Sequence, residues 1–281
     1  MEVINPKDAS SFLQICQKAL EENEVNSNLI LGISNALSKN TYAYGMVEPF
    51  FSIVINNNEI SLIGLMTPPK NLLLYEHKNL DINIIELFAN NLFSEHKRIP
   101  GITGELTLTK SFLEKWNGIS PCSYKTDKNL RIYKLTQVGR YNKPDGIFRC
   151  AEMKEIEIIA EFINKFSSEI NEPINIEGAK KVSEDGIANK EIFIWENNDI
   201  VSMAKKHRPT KHGMAIGYVY TPIEHRSKGY ATALVAELSQ NILNSGKLFC
   251  TLYTDLSNPT SNSIYQKIGY NPVCDNVSYV L

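Results

Sequence analysis

The residues best placed to do chemistry lie between Gly217 and Thr232. There a strand-like run, Gly217 to Tyr220, passes through Thr221, Pro222, Ile223, Glu224, His225, Arg226, Ser227, Lys228 and Gly229 into a helical pattern opened by Tyr230, Ala231 and Thr232. A helix start offers several backbone N–H groups with no intrahelical partner and the positive end of the helix dipole. That combination suits a phosphate or pyrophosphate. Gly229 lets backbone approach such a ligand closely, Ala231 keeps the next turn low, and Arg226 and Lys228 add positive charge. The same features taken alone also describe a solvated helix cap, so the loop needs its context to be read.

That context is a resemblance to the GNAT superfamily of N-acetyltransferases. Arg226-Ser227-Lys228-Gly229-Tyr230-Ala231 resembles the family's [RQ]-x-x-G-x-[GA] pyrophosphate loop at a strand-to-helix junction, and Val219-Tyr220-Thr221 resembles the splayed strand end before it. Further on, Asn258, Tyr265, Gly269 and Tyr270 look like the family's second signature, an Asn seven residues before a Tyr and then a Gly-aromatic pair. The resemblance implies that Val219, Tyr220 and Thr221 pair with the pantetheine arm of acetyl-CoA. It implies that residues 226–232 hold the pyrophosphate, that Asn258 bonds the pantetheine or steadies its loop, and that Tyr265 lies beside the sulfur. A phenol keeps its proton at neutral pH and can donate it to a departing thiolate, while backbone N–H near Val219 polarises the thioester carbonyl.

The base that would deprotonate the incoming amine is not fixed by the sequence. Glu196, at the end of a strand, and Glu172, in the Asn171-Glu172-Pro173 loop, are the candidates; His207, His212 and His225 are others because imidazole titrates nearest neutrality. His225 lies inside the phosphate loop and reads better as a phosphate-side contact.

Around these residues, helical and strand periodicities alternate along all 281 residues. Helices are expected at 8–22 and 25–39, strands at 42–47, 50–55, 60–66 and 72–75, helices at 82–96 and 107–116, and a strand at 130–135. After a polar stretch at 139–146 the order recurs: strand 147–150, helices 153–169 and 176–188, strands 192–196, 200–206 and 214–220, helix 227–244, strand 248–253, helix 259–268 and a last strand at 277–281. The predicted fold is α/β (α+β), a GNAT fold with a mixed, mostly antiparallel central sheet flanked by helices, in tandem. The expected division is 1–138 as a degenerate GNAT-like or accessory domain, 139–146 as linker and 147–281 as the catalytic domain. Where the first half should carry its phosphate loop stand Glu76, His77, Lys78, Asn79, Leu80 and Asp81, with no glycine and two acids. One active site per chain is therefore expected.

Composition narrows the partners. A formal charge of −2 gives no bulk attraction to nucleic acid or an anionic membrane. The opening residues read as no signal peptide, and no run approaches the roughly 20 apolar residues of a membrane span. The 5 cysteines, without CxxC spacing, read as buried thiols in a reducing compartment, neither disulfide framework nor zinc site. The expectation is a cytoplasmic monomer or homodimer that takes acetyl-CoA as co-substrate, needs no metal, and acetylates an amine acceptor of unspecified identity. Transfer of another acyl group, or a non-catalytic CoA-sensing module, are the competing functions.

Overall fold

The computed structural model describes residues 1–281. Its elements are β1 (Glu2–Ile4), α1 (Ala9–Glu21), α2 (Glu24–Lys39), β2 (Phe50–Asn56), β3 (Glu59–Met66), β4 (Leu72–Glu76), α3 (Ile82–Ser94), β5 (Gly101–Glu105), α4 (Leu106–Ile119) and β6 (Lys125–Leu135). They are followed by β7 (Ile147–Cys150), α5 (Ile156–Glu169), α6 (Ile176–Ala188), β8 (Ile192–Asn197), β9 (Asp199–His207), β10 (Gly213–Tyr220), α7 (Tyr230–Asn244), β11 (Phe249–Asp255), α8 (Pro259–Lys267) and β12 (Asn271–Val280). The second ten repeat the type and order of the first ten. No helix is long and apolar enough to cross a membrane.

Two compact units result, and no single cut along the chain separates them. One comprises Met1–Ile132, Thr254–Ser257 and Val273–Leu281; the other comprises Tyr133–Tyr253 and Asn258–Pro272. The first unit's strands lie in the order β1-β2-β3-β4-β5-β12, so the last strand of the chain completes the sheet begun by the first. β12 runs antiparallel to β5 from Asn276–Glu105 to Val280–Gly101. It is fastened by Asn71, whose Nδ2 donates to Ser278 Oγ at 3.0 Å and to the Tyr279 carbonyl at 3.3 Å. The second unit holds only the end of β6, Tyr133–Leu135, and its strands lie in the order β6-β11-β10-β9-β8-β7. In each unit the strand before the third helix pairs in parallel with the strand after it, β4 with β5 and β10 with β11.

Each sheet is covered on both faces. In the first unit Phe51, Ile53, Ile63 and Leu65 face α1 and α2, while Val54, Leu62, Leu72 and Leu74 face α3 and α4. In the second, Ile192, Ile194 and Met203 face α5 and α6, while Trp195, Val201, Ile216 and Leu252 face α7 and α8. This is the period-2 alternation of strands buried on two sides.

Some local expectations need correction. Residues 42–47 form an exposed turn, not a strand: Ala43 N–H bonds to the Asn40 carbonyl and Gly45 N–H to that of Tyr42, so the segment closes on itself. β1 and β5 are short strands that the hydrophobic pattern did not reveal, and β12 begins six residues before its expected start. α7 begins at Tyr230, not at residue 227, because Ser227 (φ 63°) and Gly229 (φ 86°) are left-handed and cannot belong to a right-handed helix.

Candidate functional site

The site is built where β10 stops being a regular strand. It pairs with β9 through Ala215–His207, Ile216–Lys206 and Gly217–Lys205, and then the register jumps to Tyr220–Met203. Tyr218 and Val219 on β10 thus stand against Ala204 alone on β9, a bulge, with Tyr218 held at φ 52°. The bulge reverses the alternation: Ile216 faces α7, yet Tyr218 and Tyr220 turn to the α5 and α6 side and Val219 takes the α7 side. On its other flank, β10 pairs in parallel with β11 at Gly213–Phe249, Met214–Cys250 and Ala215–Thr251, and the register ends there. Beyond Ala215 the two strands part, which releases backbone groups of β10 from the ladder.

Past Tyr220 the chain runs into the expected loop. Ser202 Oγ, fully buried, donates to the Tyr220 carbonyl at 3.1 Å and bonds Thr221 Oγ1 at 2.8 Å, fixing the end of the strand. A single turn at Ile223–His225 follows, then exposed Arg226, Ser227, Lys228 and Gly229. Gly229 is the N-cap of α7, and no side chain caps that helix. Its first turn holds no acidic residue, so the N–H groups of Tyr230, Ala231 and Thr232 meet no competing carboxylate. A Cβ built on Gly229 would meet only Pro144 Cγ, at 4.0 Å, so the approach is open. Tyr230 turns inward, accepting a hydrogen bond from Asn197 Nδ2 at 2.8 Å.

Arg226 is engaged by its own chain. Its Nε donates to the Thr221 carbonyl at 2.8 Å and its Nη2 to Glu169 Oε1 at 2.6 Å, at the end of α5. Lys228 is exposed beside the helix start.

Asn258 caps α8, accepting the Ser261 N–H at 3.0 Å, while its carbonyl accepts from Asn262 Nδ2 at 2.7 Å. Seven residues later, almost two helical turns, Tyr265 points into the core that also contains Tyr230, Leu234 and Ile216 and against which Val219 packs. Its ring meets Tyr270 edge-on at 6.0 Å. Burial pushes its phenol up to about 12, with a hydrogen bond to Ser261 pulling slightly the other way. The fold therefore gathers Val219, Tyr230 and Tyr265, distant in sequence, into one cluster on the α7 side of the parted strands.

Comparison with known proteins bears on the fold. Residues 196–279 match the family model described as FR47-like protein. Over the whole chain the fold is similar to an acetyltransferase of the GNAT family from Colwellia psychrerythraea, with TM-score 0.68, 13% identity and 100% of both chains covered. It is also similar to a GCN5-related N-acetyltransferase from Sphaerobacter thermophilus, with TM-score 0.65, 14% identity and coverage of 99% of this chain and 94% of that one. A tandem GNAT protein from the clavulanic acid biosynthesis pathway aligns over 100% of this chain and 98% of its own at TM-score 0.59 and 10% identity. A search of curated proteins finds no match. The chain has the GNAT fold.

Within that GNAT fold, the candidate bases occupy unlike surroundings. Glu196 lies on β8 beside edge strand β7, where Arg149 Nε donates to its Oε2 at 2.6 Å. The guanidinium holds Glu196 below the usual carboxylate range. Arg149 also clasps Glu155 through both terminal nitrogens, at 2.9 and 2.6 Å. Glu172 sits exposed in the turn after α5, its N–H bonded to the Ser167 carbonyl, close enough to Tyr218 to act on that phenol. His207 stacks edge-on against Tyr218 at 6.0 Å, and its Nε2 is shielded from water with no hydrogen-bond partner. Burial drives its pKa well below the ordinary value, so the ring is neutral and a poor proton acceptor. Gly217 makes room for that ring: a Cβ there would come within 2.7 Å of His207 Nε2. His225 in the loop meets the Tyr230 ring of α7 edge-on at 6.5 Å, and His212 lies in the exposed β9–β10 turn.

In the first unit, the helix that corresponds to α7 is α3. Its N-cap is Asp81, whose carboxylate accepts from Asn83 N–H at 2.8 Å and Ile84 N–H at 3.1 Å. The groups that stand open in α7 are thus occupied by the chain's own acid in α3. Sequence reasoning missed Ser202, Glu169, Arg149 and Tyr218, whose roles depend on neighbours far along the chain.

Proposed function

We propose that the chain is an N-acetyltransferase that moves the acetyl group of acetyl-CoA to a primary amine, with one active site, in the second unit. The observation that carries this reading is the start of α7: a left-handed glycine cap, no side-chain cap and no first-turn acid, set one loop after a strand that has parted from its parallel neighbour. The residues fit a pyrophosphate, because open N–H groups and a dipole stand where a Cβ would meet almost nothing. The backbone at Val219, Tyr220 and Thr221, unpaired with β11, fits the amide-rich pantetheine arm through groups other than the Tyr220 and Thr221 carbonyls that Ser202 and Arg226 engage, and Asn258 serves as the cap that orients α8.

In the reaction, the amine nitrogen attacks the thioester carbon, the carbon–sulfur bond breaks, and the amine's surplus proton leaves to a base or to water. Backbone N–H near Val219 stabilises the oxyanion. Tyr265, with its pKa pushed up to about 12, holds its proton at neutral pH. An ordinary thiol titrates near 8.5, so complete transfer from this phenol to a thiolate is uphill. Tyr265 therefore acts by donating a hydrogen bond to the sulfur as charge develops, with the proton settling from solvent. Among the base candidates, Glu172 is favoured because it lies close enough to the second unit's Tyr218 to act on that phenol.

The first unit is read as a diverged, CoA-free copy, because Asp81 fills its anion position. The test is calorimetric titration with CoA, followed by free-thiol release from acetyl-CoA across a panel of amines. Binding near one CoA per chain, with amine-dependent thiol release, supports the reading. Binding without release on any amine favours the sensing module, and release from longer acyl-CoAs alone favours the other acyl group.

A further inference from the structure

Arg226 and Glu169 form a contact that the loop's sequence does not announce. Arg226 stands between the single turn at Ile223–His225 and two left-handed residues, Ser227 and Gly229. Its Nε bonds the Thr221 carbonyl, five residues back, which closes the loop upon itself. Its Nη2 bonds Glu169 Oε1 at 2.6 Å, which ties the loop to the last residue of α5. The guanidinium also sits 5.9 Å from the centre of the Tyr220 ring. Thr221 is in turn held by buried Ser202. A continuous set of contacts thus runs from α5 through the loop to β10 and β9.

We propose that Glu169 is a positioning residue for the phosphate loop, clamping Arg226 across the end of β10 so that Arg226 braces the loop and leaves the phosphates to the α7 N–H groups and Lys228. The proposal rests on reading the start of α7 as the CoA phosphate site. Two features favour a brace over a phosphate ligand. Glu169 neutralises the Arg226 charge, and a planar guanidinium that bonds a carbonyl and a carboxylate together is fixed in orientation. Without that fixture, the left-handed pair Ser227 and Gly229 would leave the loop free to sample many shapes, and the α7 N–H groups would lose their preset aim. Both partners are partly exposed, at 42% and 45% of their side-chain area, so the ion pair itself adds little to global stability. Its effect falls on local order.

The experiment compares wild type, Glu169→Gln, Arg226→Gln and the double variant by calorimetric titration with CoA and with pantetheine, which lacks the phosphates. Each single variant is expected to weaken CoA by roughly tenfold, as misaligned positioning does. The melting temperature stays within a degree or two, as expected for an exposed pair. Glu169→Gln should leave pantetheine binding unchanged, and the double variant should bind CoA no more weakly than Arg226→Gln alone. CoA affinity that is unchanged or tighter in Glu169→Gln overturns the proposal, tighter binding meaning that freed Arg226 reaches the phosphates itself. Additive losses in the double variant overturn it too. If wild type binds no CoA, the underlying reading of the site falls, and this inference with it.

Discussion

Asp81 and Gly229 occupy the same place in two copies of one element order: each is the N-cap of the helix that follows the fourth strand of its set. Asp81 accepts two N–H groups of its own helix, whereas Gly229 brings no side chain and leaves them open. One position thus accounts for two helices of like placement differing in what they can bind.

Exchanging these chemistries tests that account. Gly229→Asp should supply a cap and a negative charge, and should abolish measurable CoA binding in a calorimetric titration. Gly229→Ala should cost about 1–2 kcal/mol from the left-handed conformation alone. Asp81→Ala should cost about 1 kcal/mol in denaturant unfolding, as lost caps do, with CoA affinity unaltered.

Tyr265→Phe removes the hydroxyl and keeps the ring that packs in the core. The expected result is a drop in kcat of roughly 10²-fold with little change in CoA affinity, measured by thiol release. Turnover equal to wild type would remove the phenol from the mechanism. Burial raises the folded pKa above the unfolded value near 10, so this group's stabilising share is fully present below pH 10. It is lost as pH rises from there through about 12, and Tyr265→Phe should unfold less steeply over that interval.

Glu172 and Glu196 are separated by their pH profiles. Glu196→Gln should leave the acid limb of kcat/KM where it is, because a carboxylate held down by Arg149 cannot serve as base near neutrality. Glu172→Gln should lower kcat and move that limb. Arg149 also lowers the pKa of Glu155. The stability contributed by both carboxylates is therefore present above their unfolded value near 4.3 and is lost as pH falls through the lower folded values. Arg149→Met should flatten that acid-side loss.

Removing residues 271–281 should damage the unit at the other end of the sequence. Val277 and Tyr279 pack into the core formed with α3 and α4, and the five residues Asn276 to Val280 pair with β5. The truncated chain should show protease cleavage within residues 1–132 before cleavage within α7.

Much of this molecule was legible along the chain. Alternating helical and strand periodicities located most of the helices and the central strands. Gly229 after Arg226 and Lys228, and the spacing from Asn258 to Tyr265, drew attention to one loop and one helix because these signals are local. The same locality explains the misses. Alternation alone would send Tyr218 and Tyr220 to the same face as Ile216; one extra residue between Gly217 and Tyr220 reverses them and brings Val219 towards Tyr265. A basic residue beside a glycine predicts charge for a phosphate, but Glu169, fifty-seven residues earlier, decides which way Arg226 turns. Which sheet receives β12 is likewise settled by hydrogen bonds to β5 and by Asn71, none of which leaves a periodic trace in β12 itself. The sequence by itself determined most element types and their repeated order, and it singled out one basic, glycine-containing loop. The tertiary structure decided facing, register and strand membership, because those depend on contacts between segments that no window along the chain contains.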